Sequence, residues 1–114
     1  MKPDTTVKEN YLFRRIYRKG TSAVEPCMVV YCQKNRRGMT RLGVTVSTKL
    51  GKAVVRNRAR RQMRELWRNH KAEMVPGYDM IIVVRSRAIR TPYSVLEEQY
   101  LDALSKLSLL ERAL

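Results

Sequence analysis

Six arginines and one asparagine crowd one short stretch: Arg56, Asn57, Arg58, Arg60, Arg61, Arg64 and Arg68. The chemistry these side chains offer is anion recognition. A guanidinium presents a planar fork that grips phosphate through two parallel hydrogen bonds and stacks on bases. The amide of Asn57 can donate and accept toward a base, a ribose or a phosphate. Lys49 and Lys52 extend the basic run toward the N-terminus.

Those side chains act together only if an element aims them together. Residues 53–71 contain no Gly or Pro and read as one long helix. At about 100° per residue, Val55, Ala59, Met63 and Leu66 fall on one line, the core face, with Trp67 at its edge. Arg56, Arg60, Arg64, Asn57, Arg68 and Arg61 fall on an arc about 60° to 200° away, and Arg58 near about 260°. The stripe therefore opposes the core. Glu65 and Glu73 are the acidic residues at hand, too few to make it an ordinary salt-bridged surface.

The charge totals point the same way. The chain has 24 Lys and Arg against 10 Asp and Glu in 114 residues, a net charge of +14. Such a charge repels itself unless a polyanion neutralises it, and nucleic acid is the leading polyanion. Residues 1–50 carry 11 basic and 3 acidic groups, residues 51–77 carry 8 and 2, and residues 78–114 carry 5 and 5. The binding surface should come from the first two thirds, with the last third as scaffold. A hydrophobic fraction of 44% fits one folded domain over residues 1–114.

Other classes fit poorly. Phosphodiester hydrolysis by the protein alone would need clustered carboxylates for metals or a histidine pair, and His70 is the single histidine. A duplex-DNA reader would show a helix-turn-helix, a zinc site or a zipper. A ribosomal protein or another RNA-binding module remains the alternative. No apolar run nears 18 residues, so a membrane span is not expected. Cys27 and Cys32 lie five apart in an expected strand. They should face opposite sides as free thiols, as in a reducing cytoplasm.

Around the basic helix, residues 6–19 read as a helix, opened by Thr6 and Glu9 at capping-box spacing and stopped by Gly20. Leu12, Phe13, Ile16 and Tyr17 make one stripe on it. Residues 27–34 read as a strand, with a short extra strand near Thr21–Val24. Asn35 to Gly38 read as a turn and residues 41–47 as the returning strand of a hairpin. Lys49 to Lys52 read as a loop. Residues 78–85 read as a buried strand, in which Asp79 is structural. Thr91-Pro92 reads as a cap and first helical position for a last helix over 92–112, with Leu96, Tyr100, Ala103, Leu104 and Leu107 on its apolar side. The order α-β-β-β-α-β-α predicts an α+β fold, an α/β sandwich on a small central sheet.

The run Gly51-Lys52-Ala53-Val54-Val55-Arg56-Asn57-Arg58-Ala59-Arg60-Arg61 resembles the signature of the bacterial ribonuclease P protein subunit. Phe13, Ile16, Tyr17 and Gly20 are similar to that family's first-helix pattern. Tyr31 and Arg41 to Ser47 are similar to its strands, and Tyr78 to Ile82 to the strand after its basic helix. The resemblance spans about residues 8–110. It implies a left-handed β-α-β crossover around the basic helix, as in a ribosomal-protein-like domain.

It also implies a function. The expected partners are a catalytic RNA and precursor tRNA, with no small-molecule substrate. The RNA subunit would remove the 5′ leader, using Mg²⁺ held mainly by the RNA. Lys49, Lys52, Arg56, Asn57, Arg58, Arg60, Arg61, Arg64 and Arg68 would face the catalytic RNA. Phe13, Tyr17 and Tyr31 would line a cleft for the single-stranded leader, where aromatic faces stack bases. Thr48 and Lys49 stand where the family often has two lysines, and Met1–Thr6 carries only Lys2 against Asp4.

Overall fold

A computed structural model describes residues 10–110. The expected Thr6–Glu9 cap and residues 111–112 of the last helix lie outside the described residues. The elements run α1 (Asn10–Lys19), β1 (Thr21–Val24), β2 (Met28–Lys34), β3 (Arg41–Thr45), α2 (Ala53–His70), β4 (Tyr78–Val84) and α3 (Tyr93–Lys106). The fold is α+β in the expected order, and the short extra strand is present.

One expectation fails. β2 and β3 do not form a hairpin. The sheet order is β1-β2-β4-β3, so β4 lies between them. β4 pairs antiparallel with β2 and parallel with β3. The true hairpin is β1–β2, with Ser22 opposite Tyr31 and Val24 opposite Val29. The reason lies in β4 itself. Its run of Met80, Ile81, Ile82, Val83 and Val84 is apolar on both faces, which suits a central strand covered on both sides. The local turn signal at Asn35 is real but serves a crossing. Asn35 donates from its backbone to the Gly77 carbonyl at 2.8 Å, and its side chain reaches Asp79 on β4 at 2.9 Å.

The strand alternation assigns the two faces. Met28, Val30 and Cys32 of β2, with Met80, Ile82 and Val84 of β4, join Ala59, Met63 and Leu66 of α2 and Leu96, Tyr100, Ala103 and Leu104 of α3 in one core. Each fully buried large side chain there contributes about 1.5–3 kcal/mol. On the opposite face α1 lays Ile16 on Ile81, with Phe13, Tyr31 and Val83 packed around them. Gly20 permits this seating, since a Cβ there would collide with the carbonyl oxygens of Cys32 and Ile16.

The cysteines differ from expectation. β2 begins at Met28, so Cys27 precedes the strand, and both thiols lie in the same core. They are free, and bond instead to Thr91 and Thr21, each at 3.3 Å. α3 also differs, because Pro92 caps it and it stops at Lys106. Ser108 takes a left-handed φ of 58° and turns the chain. Leu109 is thereby buried, and Leu110 bridges to Met74.

Asp79 is structural. Arg41 Nε and Nη2 donate to its two oxygens at 2.8 Å each, inside the fold. Burial alone would raise its titration. The Arg41 fork and the Asn35 amide outweigh that and hold the carboxyl below the usual range.

Candidate nucleic-acid interface

α2 is a poor helix by electrostatics and a good one by packing. Its first turn holds no acidic residue, while Lys49, Lys52 and Arg56 sit at the positive end of its dipole. Each cation there costs about 0.3–1 kcal/mol. Arg56, Arg60, Arg64 and Arg68 repeat every four residues, and each such like-charge pair costs a few tenths more, roughly 0.2–0.5 kcal/mol. The apolar face holds the helix down: Met63 and Leu66 are 0% exposed and Ala59 3%. A stripe that weakens its own helix has its use in the charge it presents.

The helical arc is as expected. Asn57, Arg60, Arg61, Arg64 and Arg68 line one open recess, with Glu65 at its side. Among the described residues no α2 arginine forms an ion pair. Arg60 Nη1 donates to the Asn57 side chain at 3.2 Å, and Arg56 Nε to the Gly51 carbonyl at 3.2 Å. Asn57 therefore orients an arginine rather than capping the helix. Lys49 and Lys52 are exposed at the entry to α2. There Ser47 caps a 3₁₀ turn, Thr48–Leu50, in place of the expected plain loop. Arg58 stands apart and lines a different recess.

The aromatic trio comes together on the α1 face. The Tyr17 ring meets Tyr31 edge-on, with centroids 4.8 Å apart, and Phe13 lies 6.4 Å from Tyr17. Ile16 anchors α1, so the rings beside it are free to face outward. Tyr17 is 41% exposed, whereas Phe13 and Tyr31 are half-buried. Burial raises the Tyr17 phenol above its usual range, partly offset by the neighbouring Thr45 side chain. Thr45 brings β3 to this face.

The register adds residues that the sequence patterns did not single out. Val29 pairs with Val83, and Val83 with Thr45. All three are half-buried, and Val24 beside them is 59% exposed. α1 covers one end of this sheet face, packing against Val83, and leaves Val24, Val29 and Thr45 as a partly exposed strip beside Tyr17 and Tyr31. Strand alternation could pair them, but only the position of α1 shows which of them stay partly exposed.

The molecule thus presents two unlike surfaces: a cationic stripe on the α2 side and a partly exposed aromatic face on the opposite side of the sheet. Among the described residues no three His, Cys, Asp or Glu side chains are grouped to hold a metal ion, and no helix is long and apolar enough to cross a membrane.

Known proteins share this fold. A family model described as Ribonuclease P matches residues 1–108. The ribonuclease P protein component of Natranaerobius thermophilus is 35% identical over 107 residues, covering 94% of this chain and 93% of that protein. That of Alkaliphilus oremlandii is 33% identical over 113 residues, covering 99% of each. The solved RNase P protein of Staphylococcus aureus aligns with a TM-score of 0.87 at 32% identity, covering 96% of this chain and 100% of that one. The Thermotoga maritima protein aligns with a TM-score of 0.77 at 28% identity, covering 89% and 94%. The chain belongs to the bacterial ribonuclease P protein family, the protein component that partners an RNA subunit.

Proposed function

We propose that this subunit binds its RNA partner through α2 and the 5′ leader of precursor tRNA through the aromatic face of Phe13, Tyr17 and Tyr31. The observation that carries this reading is the division of chemistry between the two faces of the sheet. Lys49, Lys52, Arg56, Asn57, Arg58, Arg60, Arg61, Arg64 and Arg68 supply the phosphate-facing charge. Each phosphate they neutralise releases counterions, which steepens the salt dependence of binding by about 0.7 to 0.9 per contact. Phe13, Tyr17 and Tyr31 offer ring faces to a single strand at about 1–3 kcal/mol per stacked base, with little sequence demand.

In this account the RNA subunit hydrolyses the phosphodiester, and Mg²⁺ on the RNA supplies charge stabilisation there. The protein contributes no reacting group. It offsets phosphate repulsion within the RNA and holds the leader so that the scissile bond stays in place. The arginines thereby do part of the work that dissolved Mg²⁺ would otherwise do. Two free thiols suit a reducing cytoplasm.

The test is precursor tRNA trimming by a bacterial ribonuclease P RNA at low Mg²⁺ and moderate salt. Adding the protein should restore cleavage at Mg²⁺ concentrations where the RNA alone is nearly inactive. An unchanged Mg²⁺ requirement would reject the proposal.

A further inference from the structure

A second recess opens at the first turns of α2, off the arginine stripe. Its walls are Val54, Val55, Arg58, Ala59 and Gln62 of α2, and Ile89 from the 3₁₀ turn Ser86–Arg90. Val54 is 80% exposed, more than any other large hydrophobic side chain among the described residues. A β-branched residue there is a weak helix former and gains nothing from solvent. Neither the Arg58 nor the Gln62 side chain has a hydrogen bond or ion pair among the described residues. The recess therefore joins apolar walls to an unengaged guanidinium and an unengaged amide.

Size and charge narrow the occupant. The recess holds about 130 Å³. Sites for free small molecules run to roughly 300–1,000 Å³. A space this small suits one flat group carried on a larger partner. The chain carries +14, Arg58 lines the recess and Lys52 is exposed two residues before Val54, so that partner is a polyanion. An unstacked base fits these terms: apolar faces, a hydrogen-bonding edge and an attached phosphate. RNA recognition commonly uses such splayed bases, stacked on guanidinium planes and read along their edges.

We propose that this recess receives one unstacked base of the ribonuclease P RNA subunit, with Val54 and Ile89 against its faces, Gln62 at its edge and Arg58 at its phosphate. The proposal rests on the assignment of α2 to the RNA. It also gives Arg58, set off from the stripe, a role of its own.

The experiment compares wild type, Val54→Gln and Arg60→Ala on a bacterial ribonuclease P RNA. It measures affinity across several salt concentrations and maps base reactivity at saturating protein. Val54→Gln keeps the charge and alters an exposed side chain, so the fold should persist; thermal unfolding checks this. The expected result is an affinity loss of about tenfold with an unchanged salt slope. In addition, one single-stranded nucleotide shielded by wild type should become reactive again. If Val54→Gln binds and shields like wild type while Arg60→Ala loses affinity and slope, the recess proposal falls and the α2 assignment stands. If wild type itself does not bind the RNA, the α2 assignment falls, and the recess proposal with it. If Val54→Gln changes only self-association in sedimentation, the recess is a protein contact and the proposal is overturned.

Discussion

Replacing Tyr17 with alanine separates a leader contact from a packing contact. Tyr17 is 41% exposed and touches Tyr31 edge-on at 4.8 Å. An edge-to-face aromatic pair is worth about 0.5–1.5 kcal/mol beyond the area it buries. Fold stability should therefore fall by about 1–2 kcal/mol. A lost base stack costs about 1–3 kcal/mol, or roughly 5- to 150-fold in affinity. That loss should appear for precursor tRNA and vanish for mature tRNA, which has no leader. Ile16→Ala is the contrast. Ile16 is 1% exposed, and emptying its site should cost about 2–5 kcal/mol of stability with no preference between the two tRNAs. The assay is equilibrium binding of the reconstituted ribonucleoprotein to both tRNAs, with unfolding followed by the fluorescence of Trp67, the single tryptophan. Equal losses for precursor and mature tRNA, or a stability loss matching Ile16→Ala, would place Tyr17 in the core and refute the reasoning.

Arg64→Ala should weaken binding to the RNA subunit and flatten its dependence on log salt by about one unit; an unchanged slope would remove Arg64 from the phosphate face. Asp79→Ala should cost about 3–5 kcal/mol in urea unfolding, because it removes the carboxylate that accepts two hydrogen bonds from the buried Arg41 guanidinium; a loss below about 1 kcal/mol would contradict the network. His70 lies between α2 and α3, with Glu97 at 2.8 Å and Glu73 at 3.4 Å. Burial of its ring opposes charging, but those carboxylates outweigh it and raise its titration. Its contribution is complete below about pH 6.5 and fades as pH rises through the raised value. His70→Gln should therefore destabilise by about 1 kcal/mol more at acidic pH than at alkaline pH, and an equal effect at both would show that charge plays no part.

The sequence made local features legible and left long-range pairing obscure. Most of the core face of α2 could be read because helix periodicity and burial report the same fact: Ala59, Met63 and Leu66 are all buried, whereas Val55, expected with them, is half-buried and lines an open recess. The arginine arc followed from the same geometry. The β2–β3 hairpin misled because Asn35 to Gly38 is a good turn signal, while the insertion of β4 depends on a strand more than thirty residues onward. Loop-closure entropy grows only slowly with that separation, so the apolar gain of a central β4 prevails. The cysteine faces went wrong through one strand boundary, since Cys27 precedes β2 and strand alternation does not govern it. The end of α3 depended on the turn at Ser108, a residue that does not advertise a left-handed φ. Tyr17 and Tyr31 were legible through family resemblance, whereas Val29, Val83 and Thr45 needed the sheet register and the place of α1.

The proposed division gives two faces of one small sheet to two different RNAs. Zero-length photo-crosslinking from 4-thiouridine tests it most directly, with the label placed either in the precursor leader or in the RNA subunit of the assembled ribonucleoprotein. Leader labels should join to peptides carrying Tyr17, Tyr31 or Val83, and RNA-subunit labels to peptides of Ala53–His70. Leader crosslinks confined to Ala53–His70, with RNA-subunit crosslinks on the aromatic face, would contradict it.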